Sequence, residues 1–494
     1  MSLSQIIMAC NFLLEGNLKS KFAKFIQNKA ALAIVSVYFL HLLGLLYTTN
    51  FAYAANDLRI KLPMFSLPIL LAASTQPSLK DFKMLLWFFI VAVTISTFIS
   101  TGILIGIVHR PIVDIREISI FISHIRLALL ICIAIVCCVY LYQQTTNKKI
   151  KLLTTCFILW LIMFLFLLQS LTGLIALSAV LLLYLILKLF RSQNRILTYS
   201  IALIVLIGAS FGLWSSYLIF TKKYALKEKI DYDTVEKYTK QGNTYQFDTL
   251  NTQVENGYLV WVYYNDTELI ESWNKRSTLP LSSKDKSGND LRFTLMRYLA
   301  SKGWRKDAST VAQLSDEEII AIQQGIANVD RRSGNRLQAR VYETLWEINE
   351  YNTTGDANGH SLTQRFEYWK TGWAIVLANP WIGVGTGDVE MEYNKMYDRS
   401  NSILYGKWRL GAHNQYLSIA VAFGLLGLAW FLFTLIYPML AMHKTKDLLY
   451  VSFLCIALIS FLNEDTLETQ AGLTFFAFFN ALFLFVAPTK KTSS

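Results

Sequence analysis

The chain has 494 residues, 54% of them hydrophobic and only 16% charged, whereas soluble domains carry about 25% charged residues. With a mean hydropathy of +0.38, the composition excludes a soluble globular protein. The formal charge of +12 would suggest nucleic acid in a soluble chain. Here it has a simpler source in membrane orientation, and no nucleic-acid partner is expected.

The first residues, "MSLSQIIMACNFLLEGN", lack a basic n-region and an A-x-A cleavage site, and their apolar part is too short to span. Apolar runs of about 17–25 residues then recur. They lie at 30–48, 63–76, 84–108, 120–143, 152–170, 171–190, 196–220, 414–441, 447–463 and 471–487. The second is short and contains Pro63 and Pro68, which predicts a tilted, re-entrant or broken span. The expected fold class is an all-α polytopic membrane protein of about ten spans, with a large external domain that is mixed but mainly helical.

Basic clusters fall in alternate short loops: Lys19/Lys21/Lys24/Lys29, Lys80/Lys83, Lys148/Lys149/Lys151, Lys188/Arg191/Arg195, Lys444/Lys446 and Lys490/Lys491. The positive-inside rule places them all in the cytoplasm. Both termini are then inside and the long segment 221–412 is outside. The organisation is a cytoplasmic segment 1–29, a helical bundle 30–220, an external domain 221–412, a second bundle 413–487 and a cytoplasmic tail 488–494. None of the six cysteines lies in 221–412, which excludes a disulfide framework or zinc ribbon there.

Some cations break the charge rule on the outer side: Arg59 and Lys61 in "DLRIKLP", Arg110 and Arg116 in "HRPIVDIRE", and Arg126 in "SHIRLALL". A single such residue reads as a side chain snorkelling to lipid phosphates. A set on one side points to an anion site, because the planar guanidinium donates two parallel hydrogen bonds to phosphate.

Within the external segment, "TYQF" and "GYLVWVYY" are β-rich and joined through Asn/Gly turns. Ser315-x-x-Glu318 is a capping box, a helix near 334–352 follows, and Ser361-x-x-Gln364 opens a further helix that Asn379-Pro380 ends. Arg365 lies in its first turn and by itself reads as a solvated helix residue, with ligand binding as the alternative. "GVGTGD" at Gly383, Gly385 and Gly387 follows no strand and is not a dinucleotide fingerprint. It reads as a tight turn, or as a close approach of backbone to an anion or sugar. Tyr393, Tyr397 and Tyr405 suit sugar stacking or a membrane interface. The stretch "NEDTLETQ" at 463–470 gathers Glu464, Asp465 and Glu468; metal ligation, partners for the arginines and a solvated loop compete, and without nearby histidines partnership is favoured. His413 and Asn414 open an otherwise greasy helix, which marks either a membrane boundary or a function.

Together these residues resemble the O-antigen ligase and O-antigen polymerase membrane family. That family carries a histidine followed by Asn, Ser or Gln, then nine residues and Gly-x-x-Gly; here it is His413-Asn414, nine residues, then Gly424-Leu-Leu-Gly427. The motif opens the first span after a large external segment, with two spans to follow. The family also has an essential arginine roughly fifty residues before the histidine, which Arg365 fits. The likeness runs from about residue 11 to 487 and looks closest to ligases of Bacteroidetes-type bacteria. Two features depart from the family. Its members show twelve spans against the ten read here, with the missing pair falling before residue 11. They also carry Ser-Arg-x-Gly at the outer end of a middle helix, where this chain has Ser170-Leu171-Thr172-Gly173.

The resemblance implies glycosyl transfer on the periplasmic face of the bacterial inner membrane. The donor would be a glycan on undecaprenyl diphosphate and the acceptor a sugar hydroxyl, on lipid A core for a ligase or on a second lipid-linked glycan for a polymerase. Direct displacement would invert the anomeric carbon, with no cofactor and no metal. His413 is expected to be the base, since an imidazole titrating near ~6.5 suits proton uptake at neutral pH. Arg365 is expected to stabilise charge on the leaving diphosphate. Arg59, Lys61, Arg116, Arg126, Arg409, Asn414 and Glu464 form the expected binding set, with membrane lipids as the surroundings. A transporter or lipid-binding receptor is the rival of another class, but transporters show paired repeats interrupted at the midplane and none is visible.

Overall fold

A computed structural model describes residues 3–488, except 111, 113, 114, 192–195, 197, 198, most of 201–234, 249, 252 and 331–335; side chains at 188–191, 336–343 and 353 are also left aside. The span expected at 196–220 lies largely outside the described residues. The chain forms two compact units, Met1–Thr198 with Gln364–Ser494, and Tyr199–Thr363.

The first unit begins with α1 (Leu3–Leu14) and α2 (Leu18–Gln27). It continues through α3 (Lys29–Leu43), α4 (Phe51–Ala73), α5 (Leu79–Leu104), α6 (His124–Gln143), α7 (Lys148–Leu167) and α8 (Leu171–Arg191). A short polar side chain starts most of the longer helices by accepting a first-turn N–H: Asn50 for α4, Ser78 for α5, Ser123 for α6 and Asn147 for α7. Such caps satisfy donors that hydrocarbon would leave unpaired. Among the described residues, Lys29–Tyr47, α5, α6, α7 and Gln415–Ala441 are long and apolar enough to cross a membrane. Shorter apolar helices lie at Leu3–Leu14, Leu171–Leu187, Leu448–Asn463 and Gln470–Val486. The chain is an all-α, multi-pass membrane protein.

Helix α4 differs from the short, proline-broken span expected at 63–76. It is one helix of 23 residues with Pro63 and Pro68 inside it, and it takes in Arg59 and Lys61, which the charge pattern alone places in an outer loop or at a helix end. The charged run "NDLRIKL" masked the helix in a hydropathy reading. It is tolerated because Asp57 and Lys61 are buried as partners. Asp57 Oδ2 lies 2.8 Å from His41 Nδ1 on α3, and Lys61 Nζ lies 3.4 Å from Asp57 Oδ1 and 2.6 Å from Glu468 Oε2. Breaking a buried pair of this kind costs several kcal/mol, about 3–5, because the survivor is left uncompensated.

The second unit carries the β-rich stretch, but only as strands of two or three residues. β1 (Gln246–Phe247) pairs antiparallel with β4 (Val262–Tyr264), and β2 (Val254–Glu255) with β3 (Tyr258–Leu259). Asn256 and Gly257 join β2 to β3 at φ 50° and 90°, the positive pair that a two-residue type I′ turn demands. Helices α9 (Asp266–Arg276), α10 (Leu291–Ser301), α11 (Ala308–Ala312), α12 (Asp316–Gln323) and α13 (Arg336–Thr354) follow. Trp273, Leu295, Tyr298, Val311 and Ile322 fill their core. The predicted capping box is present, with Ser315 Oγ accepting from Glu318 N at 3.2 Å and Glu318 Oε2 from Ser315 N at 2.9 Å.

The chain then returns to the first unit through α14 (Thr363–Ala378), α15 (Val389–Arg399), α16 (Gln415–Ala441), α17 (Leu448–Asn463) and α18 (Gln470–Ala481). The 221–412 segment is therefore divided, and its last fifty or so residues pack with the spanning helices. Helix α14 begins at Thr363, so Ser361 stands two positions before it rather than at the cap. α16 lies against α3, α18 against α4, and α17 against α6 and α8.

The glycine-rich loop and the Gly-x-x-Gly motif meet in this unit. Helix α16 is broken at Gly424, with φ 66° and ψ −170°, and loop 380–385 docks into the break. Val384 N donates to Val421 O at 3.0 Å, Gly385 N to Ala422 O at 2.9 Å, and Leu425 N to Pro380 O at 2.7 Å. A Cβ on Gly424 would stand 2.3 Å from the Trp381 carbonyl carbon, and one on Gly383 2.5 Å from Ala422 backbone. Only glycine allows both the positive φ and this backbone approach. "GVGTGD" therefore packs backbone on backbone. Asp388 at its end accepts from Thr49 N at 2.8 Å and Asn50 N at 2.8 Å, clamping the start of α4. Burial works to raise the Asp388 carboxyl, but these N–H donors and the Thr49 and Thr48 hydroxyls outweigh it and hold it below the usual carboxylate range.

Candidate active site

The site lies in the first unit, where α14, the mouth of α16 and the loop after α17 converge. Asn414 caps α16, its Oδ1 accepting from Leu417 N at 3.1 Å while its Nδ2 donates to Leu462 O at 2.9 Å. His413 precedes it at φ 45°, a left-handed conformation uncommon for a non-glycine residue. Asp465 holds that turn. Its carboxylate accepts from His413 N at 2.8 Å, Asn414 N at 3.0 Å and the Ser418 hydroxyl at 2.6 Å. Burial pushes the Asp465 carboxyl up, against the Ser418 and His413 hydrogen bonds that pull it down.

Arg365, in the first turn of α14, reaches the same loop. Its Nε donates to Asn463 O at 3.3 Å and its Nη2 to Glu464 Oε1 at 3.1 Å. The other oxygen of Glu464 stands 4.0 Å from His413 Nδ1. The imidazole stacks on Tyr368, with centroids 5.5 Å apart and planes at 29°. Tyr368 is fixed by donating to Trp408 O at 3.0 Å, and burial pushes its phenol up to about 12. His413 Nδ1 is buried without a hydrogen-bond partner among the described residues. The side chain as a whole is 32% exposed.

Thus Arg365, His413, Asn414 and Glu464 come together. Lys61 reaches a later part of the loop after α17: it donates to Glu468 Oε2 at 2.6 Å and Leu467 O at 2.8 Å, and Gln415 bridges the same segment through Glu468 Oε1 at 2.8 Å and Leu467 N at 2.7 Å. The remaining predicted cations have their own neighbours. Arg59 is exposed and donates to Asn56 Oδ1 at 2.8 Å. Arg126 donates to Ser123 Oγ at 3.4 Å, and Arg116 lies in the short turn Ile115–Ile118 against α5 and α6. Arg409 donates to Asp398 Oδ1 at 2.6 Å and Leu404 O at 2.8 Å. Tyr393 and Tyr397 are buried, so of the three tyrosines read for sugar stacking only Tyr405 is exposed. Among the described residues no cluster of His, Cys, Asp and Glu is arranged to hold a metal ion.

Sequence reasoning missed Tyr368, Ser418 and Gln415. Tyr368 had a signal, since it stands three residues after Arg365 on one helix face. Gln415 and Ser418 had none, because their partners on the 463–468 loop are about fifty residues away. Thr172, near the start of α8, accepts from Asn463 Nδ2 at 2.7 Å, tying α8 to the same loop.

The fold and site define a multi-pass helical membrane protein whose polar cluster gathers a histidine, an arginine and two carboxylates at the ends of its helices. Residues 319–432 match the family model of the O-antigen ligases, so the resemblance carried by the His413 motif holds. The matched stretch contains Arg365, Arg409, His413, Asn414 and the Gly424–Gly427 pair, and stops before the loop of Glu464 and Asp465. No curated protein matches the chain.

Proposed function

We propose that the chain is a membrane glycosyltransferase that moves a glycan from undecaprenyl diphosphate to a sugar hydroxyl, with ligation of O-antigen to lipid A core as its reaction. A ligase-type, glycan-handling function follows from the family match; the donor, acceptor and residue roles are our reading. The observation that supports it is the meeting of Arg365 and His413 on one loop, at 3.1 Å and 4.0 Å from the two oxygens of Glu464. A cation for a leaving diphosphate and a nitrogen for a departing proton are what such a displacement needs.

In this reading the acceptor oxygen attacks the anomeric carbon and its proton passes to His413 Nε2. The bond from that carbon to the diphosphate oxygen breaks, and the electron pair leaves with the lipid diphosphate. Arg365 offsets the charge that grows there, and Asn414 orients the base through the turn it caps. The site faces the periplasm and both termini are cytoplasmic, as the alternation of basic loops suggests.

Deleting the gene tests this. Loss of glycan-capped lipid A core with long lipid-linked glycan retained supports the ligase. Shortened lipid-linked glycan instead makes the chain a polymerase, and an unchanged glycan profile overturns both.

A further inference from the structure

Glu464 faces two residues at once. Oε1 accepts from Arg365 Nη2 at 3.1 Å, while Oε2 stops 4.0 Å short of His413 Nδ1, beyond the 2.7–3.2 Å of an N–H···O bond. That nitrogen is buried and has no other hydrogen-bond partner among the described residues. In this arrangement the carboxylate serves the cation, and the imidazole is held by its stacking on Tyr368 with no hydrogen bond on Nδ1 from a described residue. An arriving diphosphate competes for the guanidinium, because it offers more negative charge and several oxygens to a planar fork of donors. Once Arg365 turns to that anion, Glu464 loses its strongest partner, and a shift of about 1 Å completes a hydrogen bond to Nδ1–H.

We infer that Glu464 is a positioning residue that exchanges Arg365 for His413 when the anionic donor binds, so that the base is set up only in the presence of its substrate. This rests on the glycosyl-transfer reading above. With Glu464 on Nδ1–H, Nε2 is fixed as the proton acceptor, and the imidazolium formed when it takes the acceptor's proton is stabilised by the adjacent carboxylate. Four groups face the ring: Glu464, the Arg365 that Glu464 bridges to, Tyr368 stacked upon it, and Asp465, whose carboxylate holds the His413 main chain. Of these, Glu464 brings a carboxylate oxygen to 4.0 Å from that nitrogen.

The test is a histidine NMR titration of the detergent-solubilised full chain, with farnesyl diphosphate as the probe and the His413→Gln spectrum as the assignment. In the wild type the probe should raise the His413 pKa by about one pH unit or more beyond the rise in Glu464→Gln, since an opposite charge brought within a few ångströms shifts a group that far. In turnover, Glu464→Gln should lower kcat about 10–100-fold, leave the donor KM equal or lower, and move the acidic limb of the kcat–pH profile to lower pH. Glu464→Asp keeps the charge with less reach and should recover part of kcat, which covers the case in which the Gln variant does not fold. Equal probe-induced shifts in wild type and Glu464→Gln overturn the exchange. So does a Gln variant that raises KM with kcat unchanged, the mark of a mere counterion to Arg365. If His413→Gln itself transfers glycan, the glycosyl-transfer reading fails first; if it is inactive while Glu464→Gln keeps full kcat, only the exchange fails.

Discussion

The carboxylate of Asp465 grips the main chain of His413, not its ring: the His413 N–H donates to Oδ2 at 2.8 Å, and the next residue's N–H to Oδ1 at 3.0 Å. These two bonds hold a positive-φ histidine at the cap of α16. Asp465→Asn places an amide donor against those N–H groups and removes a charge-assisted acceptor worth about 1.5–3 kcal/mol. It should reduce glycan transfer about tenfold or more while the protein still inserts, read by transfer assay alongside membrane content.

Asp465 and Asp388 should also leave opposite marks on stability against pH. Asp465 is raised by burial, so the folded state keeps its proton at a higher pH than the unfolded state does. Its contribution is complete below the ordinary carboxylate value near ~3.9 and is lost as pH rises through the raised value. Asp388 is lowered on balance by the Thr49 and Asn50 N–H groups against the upward push of burial, so its contribution is present above ~3.9 and is lost as pH falls through its lowered value. Thermal unfolding in detergent across the acid range should therefore show a shallower acid loss in Asp388→Asn and a steeper one in Asp465→Asn. The same slope in both variants would refute the assignment.

Removing Arg365 tests the anion site. Arg365→Ala should cost about tenfold or more in transfer, from a lost charge-assisted bond of about 1.5–3 kcal/mol, with the loss seen in use of the diphosphate donor. Lys should recover only part, because it cannot chelate two oxygens. Full activity of the alanine variant would end the assignment.

His413→Gln keeps a polar side chain of similar reach but cannot take up a proton near neutral pH. We expect it to fold, insert and bind lipid-linked donor, yet to transfer about 10²–10⁴-fold less glycan. Wild-type enzyme should keep working in a chelator, since Arg365 is the group asked to meet the leaving diphosphate. Near-normal transfer by the Gln variant would leave His413 a structural residue, with Glu464 or Asp465 the next base to test.

Gly424→Ala brings a Cβ to 2.3 Å from the Trp381 carbonyl carbon at φ 66°. Clash and backbone strain together should cost at least about 2 kcal/mol, read as a lower unfolding temperature and a smaller monodisperse fraction after extraction. Gly102→Ala in α5 meets only Val108 Cγ2 at 3.5 Å and should be neutral or slightly stabilising. Equal behaviour of the two would show that the docked loop does not depend on Gly424.

The sequence alone determined the class of fold and the two ends of the candidate site. Span-length apolar runs leave a chain little choice but membrane helices, because backbone groups must be satisfied within each segment. His413-Asn414 and the glycines eleven and fourteen residues beyond His413 are local spacing, and local spacing is legible. What joins Arg365 to His413 is not local: Glu464 and Asp465 come from a loop about a hundred residues after one and fifty after the other. Lys61 shows the same limit. In sequence it is an outer cation against the charge bias; in the structure it is sealed between Asp57 and Glu468, the latter some four hundred residues away. A charge reads as free or paired only once its partner is known, and in a helical bundle packing chooses the partner. The tertiary structure also decided the fate of "GVGTGD", since whether bare glycine backbone meets a ligand or another helix depends on what the fold brings opposite it.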